Sequence, residues 1–308
     1  SMAVRLKRKI NNEFWLEESR SFADFIGTDE QAIRLLKDAI TRADSLNITW
    51  AAEELKQSLQ FVTENPSNEP RPFVLYHSWV VNTPMEMGIA DEDKAQKALK
   101  TAEKFTNPHG VFVTGIDRDD DNASNDRSFQ GGKAFSYTGV VMTLPTGVQV
   151  VAENNYGNTD KGLNYMKRMA RSFSYALPGS MYEVSPDYGM MTQAWSIYGF
   201  AVPIVQQYFG IQPKTQYRKV VIKPNMPEEW NEASIENVIV ANNSISVHYK
   251  KENNLINLKV DQTLQWDLEI VFPANYQLLT EGLKSFRMGD RLTIYVNNSD
   301  LDIQLITN

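Results

Sequence analysis

The chain has 308 residues, of which 42% are hydrophobic and 22% are charged, and its formal net charge is −7. This composition is typical of a globular protein with room for two domains, and the acidic balance argues against nucleic acid as the main partner. The absence of cysteine excludes disulfides, thiolate metal sites and a cysteine nucleophile.

The sequence opens with Ser1-Met2, which is typical of a remnant of expression, and a charged segment follows instead of a signal peptide. A signal peptide or a whole upstream domain can therefore precede this start. No apolar run is long enough to span a bilayer. We expect a soluble protein, either cytoplasmic or periplasmic.

Helical patterns fill the first two-thirds of the chain. Thr28 and Gln31 have the spacing of a capping box, and apolar residues follow at helical spacing. Thr83-Pro-Met-Glu86 is a second start signal, because proline is favoured at the first helical position. Further helices are predicted over 93–105 with Asp91 as cap, from Asn158 or Thr159 through Phe173, and from about Thr192 to Phe209 with Gly210 as stop.

A long segment between two of these helices, Asn107 to Lys133, is rich in aspartate and glycine. Long loops in compact domains are often functional. The run Asp117 to Asp121 offers oxygen ligands for calcium, but it lacks the glycine and the distal glutamate of an EF-hand loop. A solvated loop is therefore the favoured interpretation.

The pattern changes after Pro213, where short apolar runs alternate with turn residues. Many short strands at regular spacing indicate an all-β sandwich. The sequence thus predicts a helical domain over 1–213 and a β-sandwich domain over 214–308. The predicted strands are 220–222, 235–240, 245–249, 255–260, 268–272, 291–296 and 301–306.

Several motifs occur in the order found in one group of enzymes. They are Asn11-Asn-Glu-Phe-Trp15, Phe105-Thr-Asn-Pro-His-Gly110, Tyr137-Thr-Gly-Val-Val-Met142 followed by Pro145, and Pro178-Gly-Ser-Met-Tyr-Glu183 followed by Thr192-Gln-Ala-Trp-Ser196. Together they resemble the glycogen-debranching and amylo-α-1,6-glucosidase group of six-hairpin glycosidases. The β domain, with Pro224-Asn-Met-Pro-Glu-Glu-Trp230, looks like the C-terminal sandwich of rhamnosidases.

This resemblance implies an (α/α)6 toroid, of which the chain would hold an incomplete set of helical hairpins, followed by a small antiparallel sandwich. It also implies an inverting glycoside hydrolase that acts on an α-linked glycoside. The general acid of the group lies before the element that begins here at residue 11, so we expect the acid outside this chain. Met142 stands where the group usually has tryptophan, which puts a sugar-stacking platform in doubt.

Glu183 is the candidate general base. Glycoside hydrolysis usually needs two carboxyl groups, and in an inverting enzyme one of them activates water. Glu183 lies in a predicted loop, flanked by Tyr182 and Tyr188. Composition alone favours a solvated loop glutamate, whereas the motif favours the catalytic role.

The candidate substrate-binding residues are mostly aromatic, because aromatic faces stack on sugars while polar edges orient hydroxyls. For the tryptophans, core packing is a competing interpretation, and for Gln193 a position near a helix start. The candidates are Trp79, His77, Tyr137, Gln193 and Trp195.

Two carboxylates inside the chain compete for the role of acid. Glu86 is better explained as the third residue of a capping box, and Asp117 belongs to the acidic loop. The sequence has three histidines and no His-x-x-x-His pair, so we expect no metal site and no cofactor.

The sequence therefore predicts part of a glycoside hydrolase whose partner is a carbohydrate substrate. The alternatives are an α-L-rhamnosidase-like hydrolase and a non-catalytic carbohydrate-binding or structural fragment. We expect an incomplete toroid either to self-associate or to dock a missing N-terminal half.

Overall fold

The computed structural model describes residues 1–45, 47, 49–115, 139–297 and 299–307. Two compact units are formed, Ser1–Phe200 and Ala201–Asn308. The described residues confirm the predicted order of helices followed by mainly antiparallel strands, whereas the six-hairpin toroid and the boundary at 213/214 stay predictions. The acidic run from Asp117 to Asp121 and the candidate Tyr137 lie outside the described residues.

The first unit contains nine α-helices in its described part. Several are amphipathic, and the apolar faces of α2 and α3 pack on each other through Leu36, Ala43 and Leu55. The helices are α1 (Met2–Glu13), α2 (Asp29–Ser45), α3 (Thr49–Glu64), α4 (Ser78–Val81), α5 (Thr83–Glu86), α6 (Glu92–Ala102), α7 (Thr143–Asn155), α8 (Thr159–Ala170) and α9 (Ala194–Ala201).

A helix begins at both predicted starts, but the two predicted capping boxes have different outcomes. The capping box before α2 is confirmed, because the amide of Thr28 donates to Gln31 Oε1 and the amide of Gln31 donates to Thr28 Oγ1. The capping box from Thr83 to Glu86 is wrong. Thr83 is already inside α5, its hydroxyl donates to the carbonyl of Trp79, and Glu86 accepts a hydrogen bond from Tyr198 instead.

The helix α7 is buried along almost its whole length, including the polar side chains of Gln149 and Glu153. It packs closely against α9. A Cβ atom at Gly147 would lie 3.0 Å from the Cα of Gly199, so both positions need glycine. The predicted last helix is also modified, since α9 ends at Ala201 and a π-helical segment, Val202–Tyr208, follows it.

Short strands, which the sequence did not predict, join the helices of the first unit. The pairs are β1 with β2 and β3 with β4, and β5, β6 and β7 form a three-stranded sheet. Their bounds are β1 (Trp15–Leu16), β2 (Ser21–Phe22), β3 (Phe25–Gly27), β4 (Arg71–Phe73), β5 (Thr106–Asn107), β6 (Gly110–Phe112) and β7 (Val141–Met142).

The strands of the second unit form two five-stranded sheets, with orders β10-β11-β12-β17-β14 and β15-β16-β13-β9-β8. Their alternate residues enter one apolar core, as the period-2 pattern predicts. The strands are β8 (Ile211–Lys214), β9 (Lys219–Ile222), β10 (Glu232–Val240), β11 (Asn243–Glu252), β12 (Leu255–Gln262), β13 (Asp267–Pro273), β14 (Tyr276–Leu278), β15 (Lys284–Met288), β16 (Arg291–Val296) and β17 (Leu301–Thr307).

Candidate functional site

The candidate residues of the first unit lie on chain segments that run side by side. The amide of Ser78 donates to Val113 O, and the amide of Val113 donates to Val140 O, both over less than 3 Å. The amide of Ser185 then donates to Val141 O at 3.0 Å. These bonds place the segments around His77, β6, β7 and Glu183 next to one another, although they are distant in sequence.

Glu183 begins a tight hairpin and is half-buried. Its amide donates to Met190 O at 2.8 Å, and its carbonyl accepts from the amide of Thr143, at the start of α7, at 3.0 Å. The next residue, Val184, exchanges hydrogen bonds with Tyr188. The main chain of Glu183 is therefore held on both sides, which fixes where its side chain begins.

The carboxylate of Glu183 has one oxygen in a hydrogen bond. Gln193 Nε2 donates to Glu183 Oε2 at 3.3 Å. The other oxygen, Oε1, has no hydrogen-bond partner among the described residues. A half-buried carboxylate with one oxygen held and one available is chemically suited to accept a proton from water.

An apolar cluster lies directly beside this hairpin. Val184 packs with Val113, Val140 and Met142, and the half-buried rings of Trp79 and Trp195 pack on the same cluster. The structure thus brings both candidate tryptophans together with the residue that follows Glu183. The indole nitrogen of Trp195 is buried without a hydrogen-bond partner in the described part of the chain.

Met142 is fully buried in this cluster. Its side chain packs inside the cluster beside the hairpin, so a side chain at this position offers no stacking face to a ligand. The loss of a sugar-stacking platform, which the sequence raised as a concern, does not weaken the site at this position.

His77 is positioned from two sides. Its ring meets Trp79 edge to face, with the ring centroids 4.5 Å apart. Its amide donates to Asp24 Oδ1 at 3.0 Å, and its main chain pairs with Thr114. His77 and Trp79 therefore form one aromatic pair, and the carboxylate of Asp24 holds the main chain at His77.

Asp24 is a residue that the sequence interpretation missed. Burial raises the pKa of its carboxyl to about 6, although hydrogen bonds from the amides of Leu75, His77 and Tyr76 act in the opposite direction. The one available signal was an acidic residue inside the apolar run from Phe22 to Ile26. An acid in such a run is expected either to be exposed or to have partners.

Glu86 belongs to a different place from Glu183. The carbonyl of Glu86 accepts from the side chain of Asn155 at the end of α7, whereas the carbonyl of Glu183 accepts from Thr143 at the start of α7. The distance from Thr143 to Asn155 is about 18 Å, at about 1.5 Å per helical residue. The main chains of Glu86 and Glu183 are thus bonded to opposite ends of α7.

The described residues contain no group of three or more histidine, cysteine, aspartate or glutamate side chains that could hold a metal ion. The candidate calcium ligands between Asp117 and Asp121 lie outside them. Within the same described ranges, no helix has both the length and the apolar character needed to cross a membrane.

Neither a protein-family model nor a curated protein matches this chain. Two solved structures are similar in fold. The α-L-rhamnosidase from Dictyoglumus thermophilum is 13% identical with a TM-score of 0.45, and the alignment covers 99% of this chain and 36% of that enzyme. The Streptomyces avermitilis α-L-rhamnosidase complexed with L-rhamnose is 12% identical, also with a TM-score of 0.45, and the alignment covers 98% of this chain and 29% of that enzyme.

The chain therefore spans about a third of the length of these two enzymes. Both are glycoside hydrolases, and neither belongs to the debranching group that the sequence motifs resemble. Similarity of this extent identifies neither an activity nor a substrate for this chain.

Proposed function

We propose that this chain is part of an inverting glycoside hydrolase in which Glu183 is the general base. The observation that carries the proposal is the state of the Glu183 carboxylate. One oxygen is held by Gln193, the other has no partner among the described residues, and Trp79 and Trp195 pack beside the same hairpin. Carboxylates next to aromatic rings suit the binding and hydrolysis of sugars.

The reaction needs water, a base and an acid. Glu183 takes a proton from water while the water oxygen bonds to the anomeric carbon, and the bond from that carbon to the leaving oxygen breaks. A general acid protonates the leaving oxygen. Trp79, Trp195 and His77 are the residues that we expect to contact the sugar, and Tyr137 stays a candidate outside the described residues.

We place the general acid outside this chain, as the resemblance to the debranching group implies. Glu86 is bonded to Tyr198, with its main chain at the far end of α7, and Asp24 is occupied by three main-chain amides. Acid assistance is worth about 10²–10⁴-fold. We therefore expect this chain alone to cleave unactivated glycosides far below a normal enzymatic rate.

The surface of the first unit supports the proposal of an incomplete toroid. Several large apolar side chains between residues 175 and 197 are exposed, among them Tyr175, Leu177, Met190 and Ile197. Apolar surface of this kind is favourable for association. We propose that these residues contact either a second copy or the remaining hairpins of the toroid, and sedimentation of the purified chain tests the first arrangement.

The base assignment is tested with Glu183→Gln and, as a control, Glu18→Gln at an exposed position. Aryl glycosides with an activated phenolate are the sensitive substrates, because they depend least on the acid. We expect Glu183→Gln to lower kcat by at least about 10²-fold with little change in KM, and the control to keep full turnover. Unchanged turnover in Glu183→Gln, or a product of retained anomeric configuration, would contradict the proposal.

The same kinetic experiment also tests two alternative functions. An aryl α-L-rhamnoside compared with an aryl α-glucoside separates a rhamnosidase-like hydrolase from a glucosidase. Because we assign no general acid to the described residues, the second candidate function is that of a non-catalytic carbohydrate-binding fragment. Saturable sugar binding without turnover of any aryl glycoside would support that second function.

A further inference from the structure

Gly189 lies directly against the carboxylate of Glu183. Its φ is +84°, a conformation that residues with a side chain rarely adopt. A Cβ atom at this position would lie 3.2 Å from Glu183 Oε2 and 3.4 Å from Glu183 Cβ. A side chain at this position would therefore press on the carboxylate, which would have to move slightly to make room.

Gln193 donates a hydrogen bond to the same oxygen. It immediately precedes α9, and its side-chain amide donates to Glu183 Oε2 at 3.3 Å. The carbonyl of Gln193 also accepts from the amide of Ser196 at 3.0 Å, which ties this residue to the first turn of the helix. The donor is thus attached to a regular element, although Glu183 lies in a loop.

We propose that Gly189 and Gln193 are positioning residues that fix Oε2 of Glu183, so that Oε1 is the oxygen that takes the proton from water. This inference rests on the proposed function of Glu183. It reassigns Gln193, which the sequence predicted to bind substrate, to the orientation of the base. It also gives Gly189 a role that composition and spacing did not reveal.

The effect of a side chain at position 189 can be separated from the cost of its backbone conformation. Gly157 has φ +79°, and no atom lies within 4 Å of its would-be Cβ. Gly189→Ala and Gly157→Ala therefore place alanine in nearly the same unfavourable conformation, but only Gly189→Ala touches Glu183. Thr192→Ala, at an exposed neighbour, is the control for Gln193→Ala.

Crystal structures and aryl-glycoside kinetics of the four variants test the inference. We expect both glycine variants to lose several degrees of thermal midpoint to a similar extent. Only Gly189→Ala and Gln193→Ala should lower kcat, by about tenfold, with KM nearly unchanged, since small misplacements of a reacting group are costly. In the Gly189→Ala structure, the distance from Glu183 Oε2 to Gln193 Nε2 should lengthen from 3.3 Å to about 3.6 Å or more, where no hydrogen bond remains.

Equal kcat values for Gly189→Ala and Gly157→Ala, with Glu183 unmoved, would overturn the inference. A strong loss of kcat in Glu183→Gln would at the same time leave the proposed function standing. Full turnover in Glu183→Gln would instead remove the proposed function. In that case the variant structures still decide whether Gly189 and Gln193 fix the carboxylate.

Discussion

The two units of this protein bury very different interiors. In the second unit, one continuous apolar core fills the space between two sheets. Among the described residues of this unit, Asn243 is the one buried polar residue. The first unit divides its apolar core into separate clusters and buries many polar side chains, among them Asn82, Gln149, Glu153 and Ser185.

The difference shows where sequence patterns determine structure and where they do not. Apolar burial is non-directional, so a strand pattern with period 2 is enough to build the sandwich. Buried polar groups need specific partners, and those partners come from distant parts of the chain. Functional residues are expected in the region where such specific contacts accumulate.

The largest effect that we predict concerns one glycine of the apolar unit. Gly210 has φ +66°, and a Cβ atom there would lie 1.9 Å from the carbonyl oxygen of Lys223. We expect Gly210→Ala to destabilise the second unit by about 4 kcal/mol or more, because both a clash and a left-handed conformation are imposed. Hydrogen exchange of the strand amides measures this loss.

The control for Gly210 is Gly289→Ala in the same unit. Gly289 has φ +58° with no atom within 4 Å of its would-be Cβ. The cost should be about 1 kcal/mol, from the backbone alone. Equal losses in the two variants would show that the close approach of Gly210 to Lys223 is not a constraint on the fold.

The second prediction is that an apolar side chain at a buried position destabilises the first unit, although apolar burial usually stabilises a protein. Gln149 is fully buried, accepts from Asn82 Nδ2 at 2.8 Å and donates to Glu153 Oε1 at 2.9 Å. We expect Gln149→Leu to destabilise the first unit by about 3 kcal/mol, because it leaves Asn82 Nδ2 and Glu153 Oε1 buried without these hydrogen bonds, while Glu153 Oε2 keeps its bond from Asn158. Urea unfolding followed by the helical circular dichroism signal measures the change.

Gln57→Leu at an exposed position of α3 is the matched control, and it should change stability by less than about 0.5 kcal/mol. If Gln149→Leu were as stable as this control, the buried polar groups of the first unit would be tolerated without contributing to its fold. The contrast between the two units would then lose its physical basis.

The third prediction uses pH. The folded-state pKa of Asp24 is about 6, raised by burial from 3.8, so the folded state holds a proton that the unfolded state has lost between these values. The stability of the native protein relative to Asp24→Asn should therefore be greatest below about pH 4. It should fall by about 2 kcal/mol as the pH rises through 6. Paired unfolding curves from pH 4 to 7 measure it, and a flat difference would contradict the assignment.

Much of the fold could be predicted from the sequence, because local signals agreed with the final structure. The strand Arg291–Val296 was predicted with its observed bounds, and the capping box from Thr28 to Gln31 formed as expected. The capping box at Glu86 failed, since Tyr198, more than one hundred residues away, supplies a better partner for the carboxylate. Local propensity cannot anticipate such a contact.

The candidate site could be predicted in part. Glu183, Gln193 and Trp195 were selected from a motif, and Trp79 was selected because aromatic faces stack on sugars. The structure places both tryptophans on one cluster beside the hairpin of Glu183, but the roles of all four residues stay predictions. Asp24 escaped the sequence interpretation because its importance depends on main-chain amides from a distant segment. Gly189 escaped it because only the folded hairpin brings this residue against the side chain of Glu183. No residue type or spacing signals contacts of that kind.

The central claim is that a sugar binds at the hairpin of Glu183, against the tryptophan rings that pack beside it. Crystals soaked with a small panel of monosaccharides, including glucose and L-rhamnose, test it most directly. We predict a sugar ring against Trp79 or Trp195, with the anomeric carbon facing Oε1 of Glu183 across one water molecule. A sugar bound only on the sheets of the second unit, with the hairpin of Glu183 left empty, would contradict the account.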